Sequence, residues 1–247
     1  MNRWQLLGAG LAVYALALLV SAPATLIDAR LAQASGGALR LAEATGTLWS
    51  GTGQIEILDS SRSSGIAKSI AWRIRPAYLL RGELRYEVTL DRAPRHFPVT
   101  MSLSRIEIAD ADVTLPAAAL ALGIPKLAAL GLTGDMQLHI ARLAVGRDAI
   151  QGNATLQWHD AGSAFTRVSP LGDYELRLEG NGATVHASLR TLRGPLQLDG
   201  QGSWERGRRP VFQGTARVPP PQQEQLSPLL RMIAIDHGQG RFSLQLN

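Results

Sequence analysis

Cysteine is absent from the 247 residues. Its absence excludes disulfides, thiolate metal sites and a cysteine nucleophile, and leaves the redox compartment open. Lysine is nearly absent too, with only Lys68 and Lys126, so the net charge of +5 is carried almost wholly by arginine. A basic balance can point to nucleic acid or an anionic membrane. Here the arginines are spread through most segments, with one dense run at Arg206-Gly207-Arg208-Arg209. Such spacing describes solvated strand faces and turns, and no nucleic-acid partner is expected.

Charge is also missing from "WQLLGAGLAVYALALLVSAPA", residues Trp4 to Ala24. About 20 apolar residues in a helix match the thickness of a bilayer's hydrocarbon core. Arg3 precedes the run, which sets the N-terminus in the cytoplasm and exports the remainder. Ala22-Pro23-Ala24 also fits a signal-cleavage site. Either reading exports the following residues, and the length of the run favours a retained anchor. The expected division is a cytoplasmic tail at 1–3, a transmembrane anchor at 4–24 and a periplasmic β-rich domain at 25–247.

Beyond Pro23 apolar residues recur at every second position, the mark of half-buried strands. Ile70, Trp72 and Ile74 show it, as do Leu84 to Leu90, Phe97 to Leu103, Met136 to Ile140, Tyr174 to Leu178, Val185 to Leu189 and Phe242 to Leu246. Asp91 to Pro94, Asp110 to Asp112, Gly180 to Gly182 and Gly194-Pro195 read as turns between them. The pattern predicts a mainly β protein: a transmembrane helix followed by a curled antiparallel sheet, a sandwich or a groove, with a few short helices. Helical turns are expected at Pro76 to Leu80, at Pro116 to Leu130 with a break at Gly123-Ile124-Pro125, and at Gln222 to Ile233. The pairs "GDMQLHIARL"/"GNATLQW" and "GDYELRLEG"/"LQLDGQGSW" echo one another and admit a repeated sheet unit.

Catalytic constellations are lacking as well. His96, His139, His159, His186 and His237 include no pair at helical ligand spacing. His159-Asp160 reads as a turn pair. "GTLWSG", residues Gly46 to Gly51, brackets Ser50 with glycine, but it lacks the Gly-x-Ser-x-Gly offset of a nucleophile elbow and leads into more strand. "SSRSSG" (Ser60 to Gly65) is a polar loop. "GAGLAV" lies in the apolar run, and "GNGATV" and "HGQGRF" precede no helix that could cradle phosphate. Asp110 and Asp112 suit a turn. Asn153-Ala154-Thr155 matches a glycosylation acceptor only formally. No catalytic, cofactor-binding or metal-binding residue is assigned, and no cofactor is expected. What remains are apolar strand faces that could enclose a lipid, and sheet edges that could accept a partner strand. A hydrolase using Ser50 or His159 is the least favoured reading.

Several stretches taken together resemble the type II secretion system protein N family. They are "GTLWSG" after an apolar N-terminus, "IAWRIRPAYLLRGELRYEV" (Ile70 to Val88), "SPLGDYELRLEG" (Ser169 to Gly180), "LRGPLQLDGQGSW" (Leu192 to Trp204) and "LSPLLRMIAIDHGQGRFSLQL" (Leu226 to Leu246). Where the family places a glycine before an acidic residue and the last strand, this chain has Ala234-Ile235 and then Asp236. The resemblance implies a non-enzymatic, single-pass inner-membrane accessory protein with a β-rich periplasmic domain, whose partners are other secretion-system components. The terminal strands are also similar to AsmA-like proteins, which implies a possible lipid-binding or lipid-transfer role.

Overall fold

A computed structural model of the chain describes residues 3–58, 65–91, 95–123, 127, 130–205, 207–208, 211–231, 235–236 and 240–246. Ser60 to Ser64, Arg92 to Pro94, Ile124-Pro125, Arg206, Arg209, Ala234 and His237 from the sequence reading lie outside those residues. The chain divides into two compact units, Met1–His96 and Phe97–Asn247.

The first unit begins with helix α1 (Arg3–Val20) and helix α2 (Thr25–Ala34). Strands β1 (Leu39–Gly46), β2 (Ser50–Leu58), β3 (Gly65–Ile74) and β4 (Leu84–Leu90) then pair in that order, all antiparallel. A short 3-10 turn, Pro76–Arg81, separates β3 from β4 as expected. The apolar helix stops at Val20 rather than Ala24. Pro23 has no N–H to extend the ladder, and residues 21–24 turn into α2. Its 18 residues span about 27 Å, short of a hydrocarbon core of about 30 Å. Among the described residues no helix is long and apolar enough to cross a membrane, which corrects the expected transmembrane span at 4–24.

Helix α2 is a second correction, since strand alternation was expected directly after Pro23. Ile27 and Leu31, one helical turn apart, pack on the buried trio Ala24, Leu41 and Trp72. Asp28, in the first turn where the helix dipole favours an acid, accepts bonds from Arg40 Nε and Nη2, both at 2.9 Å, and from the Leu41 N–H at 2.8 Å. The Arg40 guanidinium, aided by that backbone bond, holds the Asp28 carboxyl below the usual carboxylate range. Gly36 and Gly37, at φ 63° and 87°, end the helix.

The second unit contains β5 (Phe97–Met101), β6 (Arg105–Pro116), α3 (Ala119–Gly123), β7 (Leu132–Gly146), β8 (Ile150–Ser163), β9 (Gly172–Gly182), β10 (Thr184–Arg193), β11 (Gln197–Glu205), β12 (Val211–Arg217), α4 (Pro220–Arg231), β13 (Ile235–Asp236) and β14 (Arg241–Leu246). Strands β5 to β12 pair consecutively and antiparallel, and β14 lies between β12 and β13. This is one open meander, not the sandwich or curled sheet allowed by the sequence. Short connections place each strand beside its predecessor, and none crosses to a second layer.

Register gives the sheet two faces. Val113, Leu138, Leu156, Leu176 and Leu189 stand opposite one another across β6 to β10, and none is exposed. One residue along, the row is Asp112, His139, Thr155, Arg177, Ser188 and Gln201. At one end of the apolar face, Leu226, Leu229 and Leu230 of α4 cover Leu171, Leu196, Ala216, Val218 and Phe242.

Two turn assignments change. Asp110 sits inside β6 at φ 49° and Asp160 inside β8 at φ 48°. Around Asp160 the register shifts between Trp158 and Ala161, a bulge and not a turn. Thus Asp110 to Asp112 and His159-Asp160 are strand residues. Helix α3 covers only Ala119–Gly123 of the helical stretch expected at Pro116 to Leu130. The sequence echo does not repeat in space. Trp158 lies on the strand directly beside β7, whereas Trp204 lies on β11, two strands from β9.

Candidate functional site

The "GTLWSG" corner is where the first unit concentrates its long-range polar contacts. Gly46 adopts φ 94° and turns the chain out of β1. Thr47 then closes the corner: its N–H donates to the Ser50 carbonyl at 2.9 Å, and its Oγ1 accepts from the Trp49 and Ser50 N–H groups at 3.3 Å. The closed corner grips the chain leaving α1. The Leu48 N–H donates to the Ala22 carbonyl at 2.8 Å, and the Ala24 N–H donates to the Gly46 carbonyl at 3.3 Å. The Trp49 indole N–H reaches the Leu19 carbonyl in the last turn of α1 at 2.8 Å. The Leu19 carbonyl, which also accepts from the Ala22 N–H at 3.3 Å, thereby gains a second donor at the helix end.

The sheet holds the corner from behind. Trp72 on β3 donates its indole N–H to the Thr47 carbonyl at 3.1 Å, and Ile74 donates its N–H to the Trp49 carbonyl at 2.7 Å. Gly51 lies directly opposite Trp72. A Cβ at Gly51 would fall 2.5 Å from Trp72 Cζ2 and against the Thr45 carbonyl oxygen. The motif therefore joins the apolar helix to the sheet. Ser50 serves through its backbone.

The polar face of the second unit holds a charged ladder on β8 to β10. Glu175, almost fully buried, accepts from Arg177 Nε at 2.7 Å and from Gln157 Nε2 at 3.1 Å, with Arg190 Nη2 at 2.7 Å. Asp173 accepts from the Asp160 N–H at 2.9 Å and from Arg193 Nε. His159 Nδ1 lies 3.8 Å from the Asp173 carboxylate, beyond hydrogen-bonding distance. Burial pushes both carboxyls up. The Asp160 N–H and Arg193 outweigh it for Asp173, and Gln157, Arg177 and Arg190 outweigh it for Glu175, so both titrate below the usual range. Both oxygens of each acid are engaged in these contacts. The ladder locks the register of β8 to β10. Tyr174, whose hydroxyl donates to the Leu196 carbonyl at 3.0 Å, is pushed well above its ordinary pKa by burial and remains a donor.

A hollow of about 580 Å³ borders this ladder, lined in part by Asp112, Gln137, His139 and Arg177. His139 Nδ1 and Asp112 Oδ1 stand 2.6 Å apart at its rim. Ser50 and His159, the two residues considered as nucleophile or base, belong to different units. Among the described residues no group of three or more histidines and acids could hold a metal ion. Sequence reasoning excluded a nucleophile elbow at the corner and placed it before more strand. It missed the reach of Trp49 to Leu19 and the pairing of Glu175 with Arg190, because both depend on register.

Residues 37–245 match the family described as type II secretion system (T2SS), protein N. The chain is 29% identical over 239 residues to the type II secretion system protein N of Aeromonas hydrophila, covering 92% of this chain and 91% of that protein. No solved structure matches.

Proposed function

The chain belongs to the type II secretion system protein N family, and on that premise we propose that it is a non-enzymatic accessory component of that apparatus, supporting export of folded proteins across the outer membrane. The apolar helix α1 holds it at the inner membrane, and the β units lie on the periplasmic side, where they meet other secretion components. The observation that carries this reading is the family match across both β units, joined to the corner that pins the end of α1 to the first sheet. Such a corner transmits position: a sheet fixed to a membrane-held helix presents its faces at a set height. The exposed apolar side chains Leu11, Val13, Leu18, Leu19 and Val20 suit a helix that lies against lipid.

Deletion of the gene should lower the amount of secreted enzyme in the medium, and the tagged chain should co-purify with other secretion components. Unchanged secretion together with no such co-purification would overturn the reading. Trp49→Ala separates the helix end from the sheet and should reproduce part of the deletion effect without loss of the folded chain.

The apolar face of the second unit supports an alternative, an AsmA-like lipid-binding or lipid-transfer module. Its rows of leucine and valine run from β6 to β10. Gently purified protein should then retain lipid detectable by mass spectrometry, and lipid-free protein would remove this alternative.

A further inference from the structure

One end of the first sheet gathers the corner, the end of α1 and the 3-10 turn. At that end β1 leaves at Gly46, β2 enters at Ser50, β3 leaves at Ile74 and β4 enters at Leu84. Trp49 ties two neighbours to it. Its indole N–H holds the Leu19 carbonyl of α1, and its own carbonyl accepts the Ile74 N–H. The Arg75 N–H then donates to the Arg85 carbonyl at 2.8 Å, and Pro76–Arg81 follows at once. The last turn of α1 and the turn between β3 and β4 therefore emerge from the same end of the sheet.

The 3-10 turn has its polarity reversed. Tyr78 is half-buried: Arg85 Nη1 donates to its hydroxyl at 3.0 Å, and the Arg85 and Arg81 guanidinium carbons stand 4.8 and 5.8 Å from its ring centre. Leu79 and Leu80 are exposed instead, Leu80 at 93%. The conformation is fixed at both ends. Pro76 opens the turn, and Gly82, at φ 73°, closes it with its N–H on the Leu79 carbonyl at 3.0 Å. A single exposed leucine needs no explanation, but a fixed turn that draws its tyrosine inward and holds two adjacent leucines outward does.

The neighbouring helix identifies the occupant. Leu18, Leu19 and Val20 in the last turn of α1 and Leu26 in the first turn of α2 are exposed at the same end as Leu79 and Leu80. Helix α1 spans about 27 Å, short of a hydrocarbon core of about 30 Å. A short apolar segment draws the groups that flank it toward the bilayer, and here the flanking group is a turn with leucines at its tip. Charge on the turn is nearly balanced, Arg81 and Arg85 against Glu83, so apolar contact and not headgroup charge supplies the attraction. A tyrosine with arginines against its ring suits the interface just above the acyl chains. We infer that the Tyr78–Leu80 turn dips into the bilayer surface at the end of α1, with Leu79 and Leu80 entering the acyl region. This rests on the reading of α1 as the membrane-held helix and adds a second lipid contact, made by the sheet itself.

The absence of cysteine makes the test direct. Leu80→Cys in the full chain is labelled with an environment-sensitive fluorophore, and the protein is reconstituted into phosphatidylcholine vesicles. Ala67→Cys, exposed on β3 toward the opposite end of the sheet, is the reference, and Leu11→Cys reports α1. The labels at 80 and 11 should shift to the blue and be quenched by a lipid-borne quencher, while the label at 67 stays aqueous. The shift at 80 should persist in high salt and need no phosphatidylglycerol. Ala77→Cys, exposed on the same turn, repeats the measurement if Leu80→Cys disturbs the tip. Leu79→Ser with Leu80→Ser should abolish the shift at 77 and leave that at 11 in place. Aqueous labels at 77 and 80 beside a lipid-embedded label at 11 would overturn the inference and leave the membrane role of α1 standing. Aqueous labels at all three would overturn both. A shift that requires phosphatidylglycerol, or that appears only with added envelope proteins or at high protein density, would also overturn it. Those outcomes would assign the turn to headgroup charge, a protein partner or a second copy.

Discussion

Each unit contains a tryptophan that donates its indole N–H to a threonine carbonyl beside a glycine of positive φ. Trp72 bonds the Thr47 carbonyl at 3.1 Å next to Gly46, and Trp158 bonds the Thr133 carbonyl at 3.0 Å next to Gly134. A Cβ would meet the tryptophan in both, at Gly51 in the first unit and at Gly134 in the second. The surroundings differ. Trp72 belongs to a small buried cluster with Ala24 and Leu41. Trp158 is only half-buried, tilted against Tyr174 at 5.9 Å, and the second unit is held by a separate, larger cluster around α4. The same local device is thus the core of one unit and an accessory clamp in the other.

Substitution can break this comparison in stages. The largest effect is expected from Phe242→Ala in the second unit's cluster, where Phe242 is among the largest fully buried side chains. It should cost about 3–5 kcal/mol. Amide hydrogen exchange read strand by strand should show faster exchange in β12 and β14 and little change in β1 to β4. Next come the glycines. Gly51→Val and Gly134→Val should each cost about 1–3 kcal/mol through overpacking, with added strain at Gly134, whose φ is 103°. Thermal unfolding should show the Gly51 change as the more damaging to its own unit, since it displaces that unit's central side chain.

A smaller effect is expected from Trp72→Phe and Trp158→Phe, which delete one hydrogen bond each, worth about 0.5–1.5 kcal/mol. If the devices differ as described, the buried Trp72 site loses more than the half-exposed Trp158 site. Equal losses in denaturant titrations would mean that the hydrogen bond, and not the burial around it, carries the device.

The smallest effect at neutral pH concerns acid. Asp173 and Glu175 titrate below the usual range in the folded chain. Their stabilisation is therefore fully present above about pH 4 and is lost as pH falls through the depressed values. Asp28 and Glu87 of the first unit are depressed as well, but their pairs with Arg40 and Arg75 are more exposed and are screened by solvent. Below pH 4 the exchange rates of β8 to β10 should rise before those of β1 to β3, and Asp173→Asn with Glu175→Gln should flatten that difference.

Much of the β content was legible because alternation survives burial on one face: Ile70-Trp72-Ile74 and Tyr174-Leu176-Leu178 lie on the strands their spacing predicts. Alternation marks a face but does not name what lies across from it, so a sandwich and a single sheet read alike. Asp110 and Asp160 misled because an acid in a left-handed bulge has the same composition as an acid in a turn. Helix α2 was obscured because "TLIDARLAQA" follows the apolar run and lacks a side-chain cap. The contacts of the corner and of the ladder join residues about 20 to 30 positions apart, such as Arg193 to Asp173 and Trp49 to Leu19. No local pattern encodes them.

The meander also sets an order of assembly. From β5 to β12 every strand pairs with the one just before it, so each new hairpin has a template as the chain emerges from its N-terminus. Local pairing of this kind folds with little loop-closure cost. The exception comes at the close, where β14 must pass β13 to reach β12 and bring Phe242 against Leu226 and Leu230. A chain cut short before residue 241 therefore keeps its hairpins and lacks its seal. Strand β14 thus turns a ribbon of hairpins into a unit with one closed end.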